Sequence, residues 1–401
     1  MTNRGLSYSR IDCCGLTAHI TLFGDRILSL ILICLDIFFL AGYIGLAYFL
    51  LRGLNSLARG EEGHANPQTR KKVSVVVALR NEEKNLPGLM QALINQDYEA
   101  LEIILVDDNS SDDTRRTAEK LCENTGIKCK IISAGENIHG WGPKKNALHG
   151  GIEAAEGEII AVTDADCRPG GEWISGLVEY FEGGAGAVVG FSPLKYGGGI
   201  CGRLKALEAL ATGIIAAAFI GAGKPFIATG RNFAYLRSIY KEIGGFGEAG
   251  NSPAGDDDLL LQAIAGKAPV AFAFEQRTII PSFPEAGGYI SRKRRHFHST
   301  RQYRTGFKML GMLVYGFIAC ISVSIIGGIS AGNMALFLSG LLALQLKMMA
   351  DLNLLERGAR LFKEPYRIMD VLVAELLQIP YTLILQPLSL IGGFEWRGRK
   401  L

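Results

Sequence analysis

Long apolar runs alternate along the chain with short β-branched ones. Residues 27–51 are apolar except for Asp36, and Arg26 and Arg52 flank them. About 25 such residues suffice for one helix across a bilayer. The run is too long for the apolar part of a signal peptide, and no small-x-small cleavage site stands out. A lone carboxylate in a membrane helix is either paired with a neighbouring helix or functional, and the sequence leaves Asp36 between the two. Residues 309–346 form a second apolar region, broken by Gly327-Gly328 and Gly332-Asn333. This pattern predicts two helices joined by a tight turn and ended by Lys347 and Asp351. The basic stretch from Arg357 through Arg360 to Lys363 then reads as cytoplasmic. The last apolar run, 371–391, is interrupted by Pro380 and Pro387 and precedes Trp396-Arg397-Gly398-Arg399-Lys400. A single span would put that basic tail outside, against the positive-inside tendency. A bend at the prolines keeps it inside, so a re-entrant course is expected.

Between these regions the period changes. Residues 53–72 are polar, with Gly, Asn and Pro, and read as a linker. Val73–Ala78 is β-branched and predicts a strand. Leu86, Leu89, Met90, Leu93 and Ile94 have helical spacing within Glu83–Gln96. A second strand, Glu102–Val106, runs into Asp107-Asp108-Asn109-Ser110-Ser111, where Ser111 is placed to cap a helix reaching about Asn124. A third strand covers Lys128–Ile132. Pro143 suits the first turn of a helix that reaches Ala155. The apolar run 158–162 then predicts a buried strand ending in Thr163-Asp164-Ala165-Asp166. This βαβα order implies an α/β domain, with a mostly parallel sheet and helices on both faces.

Two carboxylates spaced i, i+2 cannot both enter a core. Asp164, Asp166 or both must meet water, a cation or a ligand. Ligands of open α/β sheets bind beyond the carboxyl ends of the strands. Hard oxygen donors there suit Mg²⁺ or Mn²⁺ carrying a substrate phosphate. A solvated acidic turn with Asp as a helix cap fits the same residues. Asp107 and Asp108 end an earlier strand, and a nucleotide fits between the two acidic ends. Arg80-Asn81-Glu82 ends the first strand in the same place, as a ligand contact or a surface ion pair. Lys144 and Lys145 open a helix, either near a phosphate or solvated.

Composition narrows the classes. The 401 residues allow one large domain or two. Hydrophobic residues make up 48%, high for a soluble enzyme. A net charge of +3 gives no global pull toward nucleic acid. The eight cysteines show neither a Cys-x-x-Cys pair nor a histidine partner at zinc spacing. A reduced, cytoplasmic catalytic face without disulfides is expected.

The residues Arg80-Asn81-Glu82-Glu83, Asp107-Asp108, Lys144-Lys145-Asn146, Asp164-Ala165-Asp166, Gly245-Phe246-Gly247-Glu248 and Gly255-Asp256-Asp257-Asp258 together resemble family 2 glycosyltransferases of the GT-A fold. The order and spacing match over residues 73 to about 305, more than half of the chain. The resemblance implies a Rossmann-like, mixed but mostly parallel sheet flanked by helices, with one N-terminal and two to three C-terminal membrane helices. It divides the chain into a tail (1–26), a transmembrane helix (27–51), a linker (52–72), a GT-A domain (73–305), a C-terminal membrane region (306–395) and a basic tail (396–401).

The resemblance also implies roles. Glu82 and Asp107 would line a uridine pocket, with Arg80 beside them and Lys144 or Lys145 nearby. Asp164 would face the donor sugar or ribose, and Asp166 would hold the metal, with Asp164 as a further candidate ligand. Asp256 matches the family's general base. Gly255 replaces the usual Glu, which leaves the register within Asp256-Asp257-Asp258 open. The place of the family's Gln-x-x-Arg-Trp motif reads Arg292-Lys293-Arg294-Arg295-His296. Arg295 keeps its position beside the leaving diphosphate, while the Gln and Trp are replaced. The same basic stretch suits anionic headgroups at a membrane surface.

The implied reaction is inverting transfer of a hexose from a UDP-sugar, UDP-glucose or similar, to a hydroxyl. Three or four apolar segments are too few for one chain to line a polysaccharide channel, so a lipid or isoprenoid acceptor is expected. The family extends to glucosyltransferases acting on ceramide and on hydroxylated carotenoids. Residues 204–222, apolar and rich in Ala and Gly, would form either a membrane-surface helix or a core helix. The expected setting is a bacterial inner membrane with the catalytic domain in the cytoplasm. A synthase for cell-surface polysaccharide or lipid-linked oligosaccharide, and a membrane scaffold with a degenerate transferase domain, are the alternatives. Nucleotidyl transfer lacks its Gly-rich, Arg/Lys phosphate loop here.

Overall fold

The computed structural model describes residues 13–60, 71–196, 198–252, 255–284, 293–294, 300–385, 387, 395–396 and 399–400. It divides into two compact units, residues 1–44 with 311–349 and residues 45–310 with 350–401.

The larger unit is built on a seven-stranded sheet, β1 (Val73–Leu79), β2 (Leu101–Asp107), β3 (Lys128–Ser133), β4 (Ile159–Val162), β5 (Ala187–Gly190), β6 (Phe233–Leu236) and β7 (Val270–Ala273). The spatial order is β3-β2-β1-β4-β6-β5-β7. β1, β2, β3 and β4 are mutually parallel neighbours, and β6 runs antiparallel to both β4 and β5. β-branched runs form the centre because both faces are buried. Val75, Val77 and Leu79 pack on one face with Leu86, Leu89, Trp173 and Ile174. Val76 faces the other way, toward Ala147, Leu148 and Ile152.

The helices of the first face are α2 (Leu86–Ile94), α3 (Thr114–Glu123) and α5 (Trp173–Glu182), while α4 (Pro143–Ala154) and α6 (Ile200–Gly221) cover the second. Two short helices follow, α7 (Arg237–Glu242) and α8 (Asp258–Ile264). The strand order turns back at β1, between β2 and β4. The carboxyl ends of these three strands therefore open on one crevice.

The expected cap differs. α3 starts at Thr114, and the Asp112 carboxylate accepts the Thr114 N–H at 3.1 Å. Ser111 bonds instead to Asn81 Oδ1, because Asn81 reaches across from the β1 loop. Cys122 and Cys129 are bridged across the turn from α3 to β3, against the expectation of no disulfide; the turn brings their Cα atoms to 5.4 Å.

Helix α1 runs Cys13–Arg59, past the apolar run at both ends. Its last turns belong to the larger unit, where Leu50 and Leu54 are buried. They meet α6 glycine to glycine. A Cβ on Gly53 would lie 1.9 Å from the Ala218 carbonyl oxygen, and one on Gly221 would lie 2.2 Å from that of Gly53. The apolar segment expected at 204–222 is thus packed as a core helix, with Leu210, Ile214 and Ala216–Ile220 buried.

The C-terminal region holds α9 (Thr305–Ser330), α10 (Met334–Phe362) and α11 (Ile368–Pro380). Two helices with a tight turn at Gly332 agree with the sequence. Lys347 and Asp351 do not end the second, which continues to Phe362. Lys347 stays within the helix because it is buried with its ammonium 5.7 Å from the centre of the Tyr43 ring, a cation–π contact. The smaller unit contains Phe39 and Tyr43 packed on Phe317. Asp36 is buried there and accepts the Ser339 hydroxyl at 2.8 Å, so it has a partner on another helix. Among the described residues four segments are long and apolar enough to cross a membrane, Arg26–Arg59, α6, α9 and α10.

α11, about 20 Å long at 1.5 Å per residue, continues into a π-helical turn at Tyr381–Leu385. It buries Asp370 and Val371 and exposes Ile368, Met369, Leu376 and Leu377. Arg203 holds Asp370 with two bonds of 2.8 and 3.1 Å. Most of the expected re-entrant run beyond Leu385 lies outside the described residues.

Phe362 fixes the end of α10 in the core of the larger unit. It is fully buried and stacks on Phe191 at 4.3 Å and on Phe272 at 5.7 Å. Phe362→Ala should cost about 3–5 kcal/mol of stability, read as a lower denaturation midpoint of the solubilised protein.

Candidate active site

The first wall of the crevice is made by the loops after β1 and β2, which brace each other. Asn81 and Asn109 both take left-handed backbone angles, φ 54° and 51°, which asparagine tolerates better than most residues. Arg80 Nη1 donates to the carbonyls of Asp108 (2.6 Å) and Asn109 (3.1 Å). Arg80 therefore shapes the second loop. The Glu82 N–H donates to Thr114 Oγ1 at 2.7 Å, and Glu82 Oε2 accepts the Asn85 amide at 2.8 Å. Asp107 Oδ1 accepts the Ser110 N–H at 3.2 Å. Glu82 and Asp107 are both buried at the ends of adjacent strands. The sequence-predicted acids of this wall thus come together on a rigid frame.

The second wall joins three segments far apart in the chain. Lys144, in the first turn of α4, lies 3.1 Å from Asp164 Oδ1 and 2.8 Å from Asp256 Oδ2. Burial alone would lower its proton affinity, but Asp164, Asp256 and Asp257 outweigh this and hold the ammonium above the ordinary lysine range. Gly230 makes the approach feasible: a Cβ there would stand 3.2 Å from Lys144 Nζ and 3.4 Å from Asp256 Oδ2.

Asp166 follows Asp164 on the same turn. Burial, and then the neighbouring Asp164 charge, raise its carboxyl above the usual carboxylate range, while Arg231 opposes the shift. A divalent ion fits this pair. Two hard carboxylates whose charges repel are neutralised by a cation that completes its coordination with substrate phosphate and water. Among the described residues no three His, Cys, Asp or Glu side chains gather into a metal-holding group.

The three consecutive aspartates separate by role. Asp257 caps α8, accepting the N–H of Asp258 at 2.8 Å, and also takes the Gly230 N–H at 2.9 Å. Asp258 is buried, accepts the Ala228 N–H at 2.8 Å and is bonded by the Tyr303 hydroxyl. Burial and then Asp257 hold it well above the usual carboxylate range. Asp256 is the one that meets Lys144. The two lysines separate as well. Lys145 turns inward and donates to the carbonyls of Ala249 and, at 2.7 Å, Ser252. Burial lowers it to about 8, against the pull of Asp256 and Asp257.

Arg292, Arg295 and His296 lie outside the described residues. Gly230, Arg231 and Asn232 were not anticipated. Arg231 is set against Asp166, and its carbonyl accepts the Thr163 hydroxyl at 2.9 Å. Asn232 is buried and bonds Trp173 Nε1 (3.1 Å) and the carbonyls of Phe191 (3.0 Å) and Thr278 (2.8 Å). The signal was a Gly-Arg-Asn run directly before β6, which reads in sequence as an ordinary turn.

Residues 74–244 match the profile of Glycosyl transferase family 2. The chain is similar to a probable glycosyltransferase, YdaM, of Bacillus subtilis, 35% identical over 183 residues, 44% of this chain and 43% of the relative. An undecaprenyl-phosphate 4-deoxy-4-formamido-L-arabinose transferase of Pectobacterium carotovorum is 40% identical over 113 residues, 27% of this chain and 33% of that one. A beta-monoglucosyldiacylglycerol synthase of Trichormus variabilis is 33% identical over 112 residues, 27% and 23% of the two chains. The matches thus span less than half the length of these relatives. The structure of a mannosyltransferase from Pyrobaculum calidifontis, in complex with GDP-Man and Mn²⁺, superposes with a TM-score of 0.57 at 20% identity, covering 89% of this chain and 98% of that one. The strand order, the paired acidic strand ends and these likenesses agree on a domain of the Glycosyl transferase family 2 kind over residues 74–244.

Proposed function

We propose that the protein transfers a hexose from a UDP-sugar, UDP-glucose or a similar donor, to a hydroxyl of a membrane lipid or isoprenoid, with inversion at the anomeric carbon. The observation that carries this reading is the bridge of Lys144 between Asp164 and Asp256. It sets a donor-side carboxylate and an acceptor-side carboxylate on opposite sides of one cation. Glu82 and Asp107 support a nucleoside pocket at the neighbouring strand ends. Asp256 acts as general base, since Asp257 and Asp258 are committed to backbone N–H groups.

Asp166 and Asp164 would hold Mg²⁺ or Mn²⁺, which, when bound, supplies charge stabilisation to the departing diphosphate. The same fold is described with GDP-Man and Mn²⁺ in the Pyrobaculum calidifontis protein. Lys144 holds the acceptor-side carboxylate in position. Arg295 is proposed to face the diphosphate. Two of the relatives are named for lipids, one for undecaprenyl phosphate and one for the monoglucosyldiacylglycerol that it makes. These names and the apolar helices support a lipid acceptor and a catalytic domain facing the cytoplasm at a bacterial inner membrane.

Asp256→Asn should lower kcat by about 10²–10⁴-fold with little change in donor binding, measured with radiolabelled UDP-glucose. Unaltered turnover would remove Asp256 as base. Asp166→Ala should abolish the dependence of UDP binding on added Mn²⁺, followed by calorimetry; a binding curve that still responds to the ion would place the metal elsewhere. Membranes incubated with labelled UDP-sugars and then extracted with organic solvent should carry label in the lipid phase. Label only in insoluble polymer would favour a polysaccharide synthase, and none at all a scaffold.

A further inference from the structure

A second feature of the larger unit has no place in the chemistry above. Leu46 and Phe49 near the end of α1, Phe219 on α6, and Arg304, Phe307 and Leu310 at the start of α9 line an apolar groove of about 560 Å³. Clefts that hold small ligands run from roughly 300 to 1,000 Å³. Arg304 is the only charged residue among those that line it. Its Nη2 donates to the Gln262 carbonyl at 2.8 Å, and it has no carboxylate partner among the described residues. Arg301 and Lys308 lie one turn to either side in sequence, so the rim is basic and the interior is hydrocarbon-like. Both walls sit where an apolar run gives way to charge, just before Arg52 on α1 and just after Lys308 on α9. Those are the places where a membrane-crossing helix leaves the bilayer.

The groove is also tied to the candidate active site. Phe226 stacks on Phe307 at 4.1 Å and meets Phe219 edge-on at 4.4 Å. From Phe226 the chain runs through Ala228, whose N–H bonds Asp258, to Gly230, which touches Asp257, Asp256 and Lys144. Four residues span at most about 14 Å. Tyr303, next to Arg304, bonds Asp258 from the other side. The groove and the Asp256 loop are therefore linked by one short segment of chain and by Tyr303.

We infer that this groove holds the hydrocarbon chain of an anionic lipid acceptor, with Arg304 against the negative charge of its head group. The inference rests on the proposed lipid glycosylation and adds the place and the charge of the acceptor. It is tested on the full-length protein in phosphatidylcholine vesicles doped with a photoreactive phosphatidylglycerol, an anionic lipid with free hydroxyls. Crosslinks should map to 46–49 and 304–310, and Leu46→Trp or Leu310→Trp should suppress them. The same variants should raise the KM for the lipid acceptor by about tenfold or more. UDP binding by each variant reports whether it has folded. Leu310→Ala, which enlarges the groove, should shift preference toward bulkier chains. Arg304→Gln should remove a preference for an anionic over a neutral acceptor of the same chain. Crosslinks elsewhere, or an unchanged KM in folded tryptophan variants that still make lipid product, would overturn the groove while leaving lipid glycosylation standing. Absence of lipid product from the wild-type protein would overturn both.

Discussion

Five aspartates, Asp164, Asp166, Asp256, Asp257 and Asp258, crowd two loops, and the Lys144 ammonium joins the loops by pairing with Asp164 and Asp256. Two unit charges 4 Å apart interact by about 4 kcal/mol at an effective dielectric of 20. Uncompensated carboxylates at such spacing would push the end of β4 away from the start of α8. The site resolves the crowding in three ways. Lys144 bridges Asp164 and Asp256, backbone N–H groups take up Asp257 and Asp258, and Arg231 faces Asp166. The remaining geometry serves this arrangement. Gly230 leaves room for it, and Asn232 pins the Gly230 loop to Trp173 and two carbonyls.

The same loop also runs toward the apolar side of the larger unit. Phe226 sits among Phe219, Tyr303 and Phe307, and Tyr303 grips the carboxylate two residues from Asp256. Helices with membrane-like composition thus contribute directly to the core that carries the catalytic loop. Leu50 and Leu54 of α1 and Phe362 of α10 are buried in one cluster with residues of β5, α6 and α8. The sheet, the acidic loop and these helix ends form one packing unit, so substitutions in the aromatic cluster should be felt at the acidic loop.

Much of the fold was legible before any coordinates. β1, β2 and β4 are apolar on both faces, and such runs suit the centre of a parallel sheet and little else. Asp107 and the Asp164–Asp166 pair stood out because carboxylates directly after such strands cannot be core. Local cues failed where a distant residue won. Ser111 had the chemistry of a helix cap, but Asn81 took its hydroxyl. Lys347 and Asp351 looked like the end of a membrane helix, but the aromatic face of Tyr43 accommodates Lys347 inside it. Gly230, Arg231 and Asn232 were invisible because a turn before a strand carries the same residues in many contexts. Cys122 and Cys129 lacked any familiar spacing and were joined only by the turn between α3 and β3.

By itself, the sequence determined the order of the first four strands and the helices between them, the apolar segments and the acidic strand ends, all of which follow from the period and polarity of neighbouring residues. Only the tertiary structure decided which of Asp256, Asp257 and Asp258 meets Lys144, which of Lys144 and Lys145 reaches Asp164, and what Asp36 bonds. Successive helical residues point about 100° apart, so Lys144 and Lys145 are alike in sequence and opposite in space. The partners that sort them, Asp256 for one and the carbonyls of Ala249 and Ser252 for the other, lie more than a hundred residues away. No local pattern carries that information.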